Sequence, residues 1–333
     1  MMKVKGMKRI FCGMLIACLL ISVIPAGEAD AAAKFKRGTS DHDVDVFDTS
    51  SERRAEVNGL YFWESEDDQA LYCSTTPTGK GAELGARALG DNKYIENILL
   101  TDGTWVYYSV SVLPGTVKNC ICKVKYDGTG FQQIVKSKDF SSMRLLAIYN
   151  GVLYYEKDWK LYSVGLKTGT HKLRNSKFEP NYTSGSGRYI YGTSKSDSGT
   201  ITLKAYDCKE KKTNKIVAFK SGVGRILATY KNEVYYYKGS EPVKYGNCAE
   251  MARPVTLYRT TLSGTGKRIK VHYIEDAYHV MGMVGSKLYY SAVKEPVGTN
   301  NYVYDVETGE TKKISFDEYA VNGSYNNFNA RFQ

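Results

Sequence analysis

The chain has 333 residues, seven of them cysteines, and a formal net charge of +11 at pH 7. Cysteines this sparse exclude a small scaffold held together by disulfide bonds. The basic excess favours anionic partners, and it acts on association rather than on the fold. Lysine also solubilises exposed strand edges, so the charge alone does not identify a partner.

Residues 1–31 have the order of a secretory signal: four basic residues, an apolar run from Ile10 to Ile24, and small residues around Ala31. The apolar run is shorter than the roughly 20 residues that span a bilayer. We predict export with cleavage near Ala31, which lowers the net charge from +11 to +9 because four basic and two acidic residues are removed. Two alternatives stay open: a retained anchor, and a lipoprotein box at Leu15–Cys18 that would make Cys18 a lipid anchor.

Five cysteines remain after this cleavage, and an odd number cannot form a fully paired intramolecular framework. They are Cys73, Cys120, Cys122, Cys208 and Cys248. The C-x-C pair of Cys120 and Cys122 lacks the second half that a zinc site requires. We expect packed free thiols.

A short turn followed by paired aromatic residues occurs six times after the signal. The copies VNGLYFWES, DGTWVYYSV, NGVLYYEK, GSGRYIYGTS, KNEVYYYKG and GSKLYYSA begin at Val57, Asp102, Asn150, Gly185, Lys231 and Gly285. One strand-like stretch precedes each copy and two follow it. Six copies of four short strands predict an all-β fold, a six-bladed β-propeller of four-stranded antiparallel blades. A β-sandwich is the alternative, because it also uses many short strands.

Tyrosine is the main aromatic residue, with 28 Tyr against 11 Phe and 3 Trp. The strands of a blade lie between neighbouring blades, so aromatic and branched side chains are needed on both faces. We expect the tyrosines to pack there, with their hydroxyls at the wetter rim. The predicted domains are the signal peptide (1–31), a polar and acidic segment (32–53) and one propeller (54–333), whose ring closes with the help of residues 318–333.

Two stretches, LYRTTLSGTGKRI (257–269) and CKVKYDGTGFQQI (122–134), resemble a known half-blade. It is that of the low-density-lipoprotein-receptor YWTD propellers, and the similarity is greater still to secreted Firmicute propellers of unknown function. The literal Tyr-Trp-Thr-Asp is absent, since the six aromatic slots read YFWE, YYSV, YYEK, YGTS, YYKG and YYSA. The resemblance implies a six-bladed ring from a Gram-positive bacterium, and it carries over no catalytic residues.

Export and a rigid loop-bearing ring predict a non-catalytic binding or scaffold module that is secreted or on the cell surface. The expected partner is a protein, a peptide or an anionic cell-wall polymer. Export argues against nucleic acid, and a membrane is a partner only through a retained or lipidated N-terminus. One alternative is a polysaccharide-acting enzyme, a lyase or glycosidase; another is an assembly protein that contacts its partners through blade edges. The oligomeric state stays open.

The sequence contains no recognisable catalytic motif. A propeller serine hydrolase needs a second α/β domain with a G-x-S-x-G elbow, and the chain has neither the elbow nor the length. Glu275 and Asp276 are adjacent, so on a strand they point to opposite faces and cannot act on one sugar bond. No catalytic residue is therefore predicted.

A partial calcium loop lies in DHDVDVFDTSSE at 41–52, and calcium is the one cofactor considered. Positions 1, 3, 5 and 12 of the template are Asp41, Asp43, Asp45 and Glu52. Position 6 is Val46, where the loop demands glycine for its turn. An acidic segment or an edge strand leading into the ring explains the same residues.

The ligand face is predicted over blades five and six, because two long loops lie there. Blade five carries KGSEPVKYGNCAEMARP (238–254) and blade six carries VKEPVGTNN (293–301), whereas the corresponding loop of blade three is only KDWK. Long loops between short strands are more often functional than decorative. The candidate ligand-binding residues are Tyr245, Asn247, Glu250, Met251, Arg253, Lys294, Glu295, Asn300 and Asn301.

Overall fold

The structure is a computed structural model of the whole chain. It describes residues 36–38, 55–57, 59–64, 71–76, 78–84, 93–112, 119–137, 143–183, 187–220, 222–240, 243–244, 251–293 and 298–316. The predicted signal peptide, the calcium-loop residues Asp41, Asp43, Asp45 and Glu52, and the predicted closing segment 318–333 lie outside these ranges.

The regular elements of the described residues are 25 β-strands. In chain order they are β1 (Lys36–Gly38), β2 (Ala55–Val57), β3 (Leu60–Glu64), β4 (Leu71–Ser74), β5 (Ala82–Glu83), β6 (Lys93–Thr101), β7 (Trp105–Val112), β8 (Cys120–Lys125), β9 (Gln132–Lys136), β10 (Met143–Tyr149), β11 (Val152–Lys157), β12 (Lys160–Gly165), β13 (His171–Asn175), β14 (Glu179–Thr183), β15 (Tyr189–Lys195), β16 (Ile201–Asp207), β17 (Lys212–Phe219), β18 (Val223–Tyr230), β19 (Glu233–Gly239), β20 (Val243–Lys244), β21 (Met251–Thr261), β22 (Ile269–Val284), β23 (Lys287–Val293), β24 (Thr299–Asp305) and β25 (Thr311–Ile314).

These strands form six consecutive four-stranded antiparallel units, which we call blades one to six. The first four are β2–β5, β6–β9, β10–β13 and β14–β17. Blade five contains β18, β19, β21 and the first part of β22, and blade six contains the second part of β22 with β23–β25. The fold is therefore a β-propeller, as predicted, and the six units are consistent with six blades.

Two details of the pairing were not predicted. Strand β22 runs unbroken for 16 residues, pairing with β21 up to Ala277 and with β23 from Ala277 onward, so blades five and six share it. Strand β1 comes from the segment before the repeats and adds to blade two, where Lys36 pairs with Thr101 of β6. The chain N-terminal to the first blade thus contributes to a sheet.

The paired tyrosines fill two layers of core at once. Tyr108 packs in the cluster between blades one and two, while its neighbour Tyr107 packs in the cluster between blades two and three. Tyr155 joins Tyr107 in that second cluster, and Tyr154 packs with Tyr206 in the next. Successive strand residues point to opposite faces, so a Tyr-Tyr pair supplies one ring to each neighbouring interface. The packing prediction is confirmed for these residues.

Three buried tyrosine hydroxyls form hydrogen bonds from one blade to the next instead of reaching the rim. They donate to main-chain carbonyls of the adjacent blade: Tyr108 to Leu84, Tyr154 to Cys208 at 3.3 Å, and Tyr191 to Leu262 at 2.8 Å. The expectation of hydroxyls at the wet edge is wrong for these three. A buried carbonyl without a hydrogen-bond donor costs about 1–3 kcal/mol. Because each hydroxyl must stay within hydrogen-bond distance of its carbonyl, each bond also favours one spacing between the two blades.

The meander gives every blade two different ends. Turns from the first to the second strand and from the third to the fourth lie at one end, which we call the turn end. Connections from the second to the third strand, and from one blade to the next, lie at the other, the loop end. None of the described segments is a helix long and apolar enough to cross a bilayer.

Candidate functional site

The predicted ligand-binding residues fall into two groups. Those outside the described ranges are Tyr245, Asn247, Glu250, Lys294 and Glu295. Met251 opens β21, and Arg253 lies two residues further along the same strand. Asn300 and Asn301 lie in β24, where they pair with Ala292 and Ser291 of β23.

Arg253 lies in a small cleft at the loop end, between blades five and six. The cleft has a volume of about 180 Å³, and its other side chains include Tyr237, Tyr278 and His279. Asn300 and Asn301 do not line it. Ligand pockets usually have volumes of about 300–1,000 Å³, so the described part of this cleft has room for only a small group.

A larger cleft of about 530 Å³ opens at the loop end between blades three and four. Its walls come from the turn between β11 and β12, the link between β13 and β14, and the hairpin of β15 and β16. We call it the Trp159 cleft, after the aromatic side chain at its edge. Its volume is within the ordinary range of ligand pockets.

Trp159 is 62% exposed, and it lies in a two-residue turn between Lys157 and Lys160. Asp158 and Trp159 have φ angles of 49° and 62°, the left-handed pair of a type I′ turn. That turn favours Asn-Gly, and the left-handed conformation costs a residue with a side chain roughly 1–2 kcal/mol. A large aromatic therefore occupies a strained position without burying itself in the core.

A buried carboxylate holds the Trp159 turn in place. The main-chain N–H of Trp159 donates to Glu156 Oε1 at 2.7 Å, and Glu156 Oε2 lies 3.9 Å from Arg144 Nε. Arg144 Nη2 in turn donates to the carbonyl of Pro180 at 2.8 Å, in blade four. The turn is thus tied to both walls of the cleft, which presents the indole on a fixed support.

The floor of the cleft is close-packed. Phe178 is buried there, in the cluster that contains Tyr154 and Tyr206. Gly192 lies against it: a Cβ at this position would lie 2.1 Å from the carbonyl oxygen of Glu179 and 2.9 Å from the Phe178 ring. Only glycine fits this approach of β15 to β14, so the cleft has a rigid base.

Hydroxyl groups dominate the remaining lining. They belong to Ser176, Thr193, Ser194, Ser196, Thr200 and Thr202. Ser196 and Thr200 close the β15–β16 hairpin, since the Ser196 N–H donates to the Thr200 carbonyl at 2.9 Å and the Thr200 N–H to Ser196 Oγ at 3.0 Å. The hairpin tip therefore has a defined shape and a polar surface.

Three lysines and two carboxylates complete the cleft: Lys177, Lys195, Lys204, Glu179 and Asp197. Lys204 Nζ lies 3.5 Å from the Lys177 carbonyl. Partial burial, and then the nearby Lys177 charge, lower the pKa of Lys204. Among the described residues, none of the three lysines is in an ion pair. The three lysines and two carboxylates leave the cleft with one positive charge in excess.

Trp159 was not among the residues selected from the sequence. Its loop is the short KDWK, and loop length was the criterion that selected blades five and six. A signal was nevertheless present. The two central residues of such a hairpin are expected to be Asn-Gly or a similar pair, and tryptophan there serves neither the turn nor the core.

The described residues offer no metal cluster, and their cysteines are buried. They contain no group of three or more His, Cys, Asp or Glu that could hold a metal ion. Cys73, Cys120, Cys122 and Cys208 are free and buried, as the sequence predicted, and Cys248 lies outside the described ranges. Burial raises the pKa of Cys73 to about 12, so this thiol stays protonated and is a poor nucleophile.

No family model and no curated protein matches the chain. Solved structures do match. A prolyl endopeptidase is similar over 91% of this chain and 45% of its own, with 15% identity and a TM-score of 0.52. The β-propeller domain of the Trilobed protease from Pyrococcus furiosus covers 68% of this chain and 72% of its own, at 11% identity and a TM-score of 0.44. An oligogalacturonate lyase in complex with manganese covers 79% and 74%, at 13% identity and a TM-score of 0.43.

These similarities concern the fold. The chain spans less than half of the endopeptidase chain it matches, and every identity is below 20%. The structural neighbours are β-propeller proteins, in agreement with the sequence. Membership of the secreted Firmicute family, and the likeness to YWTD propellers, stay predictions.

Proposed function

We propose that this protein is an exported, non-catalytic binding module that captures a ligand at the loop end of its blades, on or near the bacterial cell surface. The observation that carries the proposal is Trp159, a 62% exposed indole in a left-handed turn at the edge of a 530 Å³ cleft. Strained residues that a fold nevertheless retains cluster at functional sites.

The surroundings of Trp159 support a role in binding. Glu156 and Arg144 hold the turn against blade four, so the indole is oriented before a ligand arrives. A preorganised aromatic loses little conformational freedom on binding, and aromatic residues are frequent among the dominant contacts of interfaces.

Binding of the secreted protein to whole Gram-positive cells and to purified wall fragments tests the proposal. Trp159→Ala should reduce the affinity about tenfold, which is the loss of about 1.4 kcal/mol of aromatic contact. Tyr273→Ala is the matched control, because Tyr273 is 48% exposed on the blade-five part of β22, where it pairs with Thr256, and it does not line the Trp159 cleft. Equal binding by the two variants would place the ligand elsewhere.

The same preparations address the enzyme alternative. Polysaccharides incubated with the protein should release no reducing ends or unsaturated sugars. Glu179 and Asp197 are the carboxylates of the cleft, so Glu179→Gln and Asp197→Asn are the informative variants. Turnover by the wild type that either variant abolishes would overturn the non-catalytic proposal in favour of a lyase or glycosidase.

A further inference from the structure

The composition of the Trp159 cleft restricts the chemistry of its ligand. Of thirteen lining residues, six carry hydroxyls, five are charged and two are aromatic, and one of those aromatics, Phe178, is buried. Peptide grooves and drug-like pockets are lined mainly by apolar side chains. This cleft instead suits a ligand that is rich in hydroxyl groups and has a single apolar face.

A sugar ring has that character. One face of a pyranose presents C–H groups, which pack on the flat surface of an aromatic ring, while its edge presents hydroxyls to polar partners. Trp159 supplies the exposed flat surface, and the hairpin from Ser196 to Thr200 supplies hydroxyl donors and acceptors. The two elements line the same cleft.

The charges of the cleft call for an anion. Lys204 Nζ lies 3.5 Å from the main-chain carbonyl of Lys177, and burial, followed by the Lys177 charge, lowers the pKa of Lys204. Glu179 and Asp197 leave one positive charge in excess. An anionic group between Lys177 and Lys204 would relieve their repulsion and stabilise both ammonium groups.

We propose that the Trp159 cleft binds an anionic glycan chain, with a sugar ring stacked on the Trp159 indole and an ionised group of the chain between Lys177 and Lys204. This inference rests on the proposed binding function and specifies its ligand. Uronic-acid carboxylates and the phosphates of a wall polymer share the required chemistry, a negative charge repeated along a hydroxylated chain.

Titration calorimetry with four polymers tests the inference. Alginate carries carboxylates, teichoic acid carries phosphates, dextran is a neutral glycan, and polyglutamate is an anionic polymer without sugars. We expect binding of alginate or teichoic acid at least tenfold tighter than that of dextran and polyglutamate. Tighter binding of alginate would identify the anionic group as a carboxylate, and tighter binding of teichoic acid would identify it as a phosphate. Affinity should also fall as salt rises, because the contacts between ammonium groups and anions are screened.

Two variants separate stacking from charge. Trp159→Ala should weaken binding of the anionic glycan about tenfold, and so should the pair Lys177→Gln and Lys204→Gln. The pair Lys312→Gln and Lys313→Gln makes the same change in net charge on exposed residues of β25, and it should leave the affinity unchanged. Thermal melts of all variants check that each is folded.

The outcomes of these experiments distinguish a wrong ligand class from a wrong binding function. Equal affinity for polyglutamate and the anionic glycans would overturn the glycan assignment. An equal loss of affinity from the two lysine pairs would overturn the placement of the anionic group between Lys177 and Lys204. If wall fragments bind through Trp159 while no anionic glycan binds, the binding function stands and the ligand class is wrong. If Trp159→Ala affects no ligand at all, both are wrong.

Discussion

The two ends of the blades are built differently, although one meander generates both. At the turn end, three aspartates close connections through hydrogen bonds to the main chain. At the loop end, Trp159 is 62% exposed in a left-handed turn that favours Asn-Gly. The contrast indicates where functional residues lie in a repeat fold. They are residues, such as Trp159, that neither stabilise their own turn nor pack in the core.

The turn end shows the structural pattern clearly. Asp127 accepts the N–H of Thr129 at 2.9 Å, Asp207 that of Lys209 at 2.9 Å, and Asp305 that of Glu307 at 2.8 Å. Asp207 and Asp305 end a third strand, and Asp127 lies two residues beyond one. Each bonds to the main chain two residues later, the Asx-turn arrangement. Aspartate thus stabilises the turn after the third strand in three blades.

The largest effect is expected where the framework supports the loop end. Gly192→Ala would force a Cβ to within 2.1 Å of a main-chain oxygen, so it should lower the free energy of unfolding by about 3 kcal/mol or more. Gly199 lies at the tip of the same hairpin, where an added Cβ would meet open space and only the φ of 79° is unfavourable, so Gly199→Ala should cost about 1–2 kcal/mol. Chemical denaturation measures both, and equal losses would show that the cleft floor is not rigid.

Removal of a turn-end aspartate should come next in size. Asp207 forms two hydrogen bonds with Arg188, from Nε at 3.2 Å and from Nη2 at 3.0 Å, and its side chain is only 4% exposed. Asp207→Ala should lower the free energy of unfolding by about 2–3 kcal/mol, below the full cost of a broken buried pair because Arg188 can be rehydrated. Asp197→Ala, an exposed loop-end aspartate, should change it by less than about 0.5 kcal/mol.

The stabilisation from Asp207 should depend on pH. Burial alone would raise its pKa, but the hydrogen bonds from Arg188 and from the main-chain N–H groups of Glu210 and Lys209 outweigh it and lower the pKa. The folded pKa is then below the unfolded value of about 3.9, so the contribution is complete above that pH and is lost as the pH falls through the folded pKa. The stability difference between wild type and Asp207→Asn should therefore shrink below pH 4; a constant difference would contradict the assignment.

The fold could be predicted because its signal is repeated. Each aromatic slot must fill two layers, so the requirement appears in the sequence six times, four of them as an adjacent Tyr-Tyr pair. The Trp159 cleft could not be predicted in the same way. Its walls come from three places in the chain: Trp159 lies in a turn of blade three, Lys177 precedes β14, and Lys204 lies in β16. They meet only because blade three packs against blade four and because β14, β15 and β16 pair side by side. The shared strand β22 was missed because no turn signal marks where one blade ends.

The smallest and sharpest prediction concerns Trp159 itself. If the left-handed turn retains tryptophan for ligand binding, then Trp159→Gly should raise the free energy of unfolding by about 1 kcal/mol while it weakens ligand binding. Little packing is lost, because the indole is 62% exposed, and the bond from the main-chain N–H to Glu156 remains possible for glycine.

Asn232 is the matched position at the turn end, with a φ of 61° in the hairpin between β18 and β19. Asparagine tolerates the left-handed region, so Asn232→Gly should gain only a few tenths of a kcal/mol and leave ligand binding unchanged. Paired denaturation and binding measurements on the two variants decide the question. A destabilised Trp159→Gly would mean that the indole has a structural task, and the two ends of the blades would then differ in shape alone.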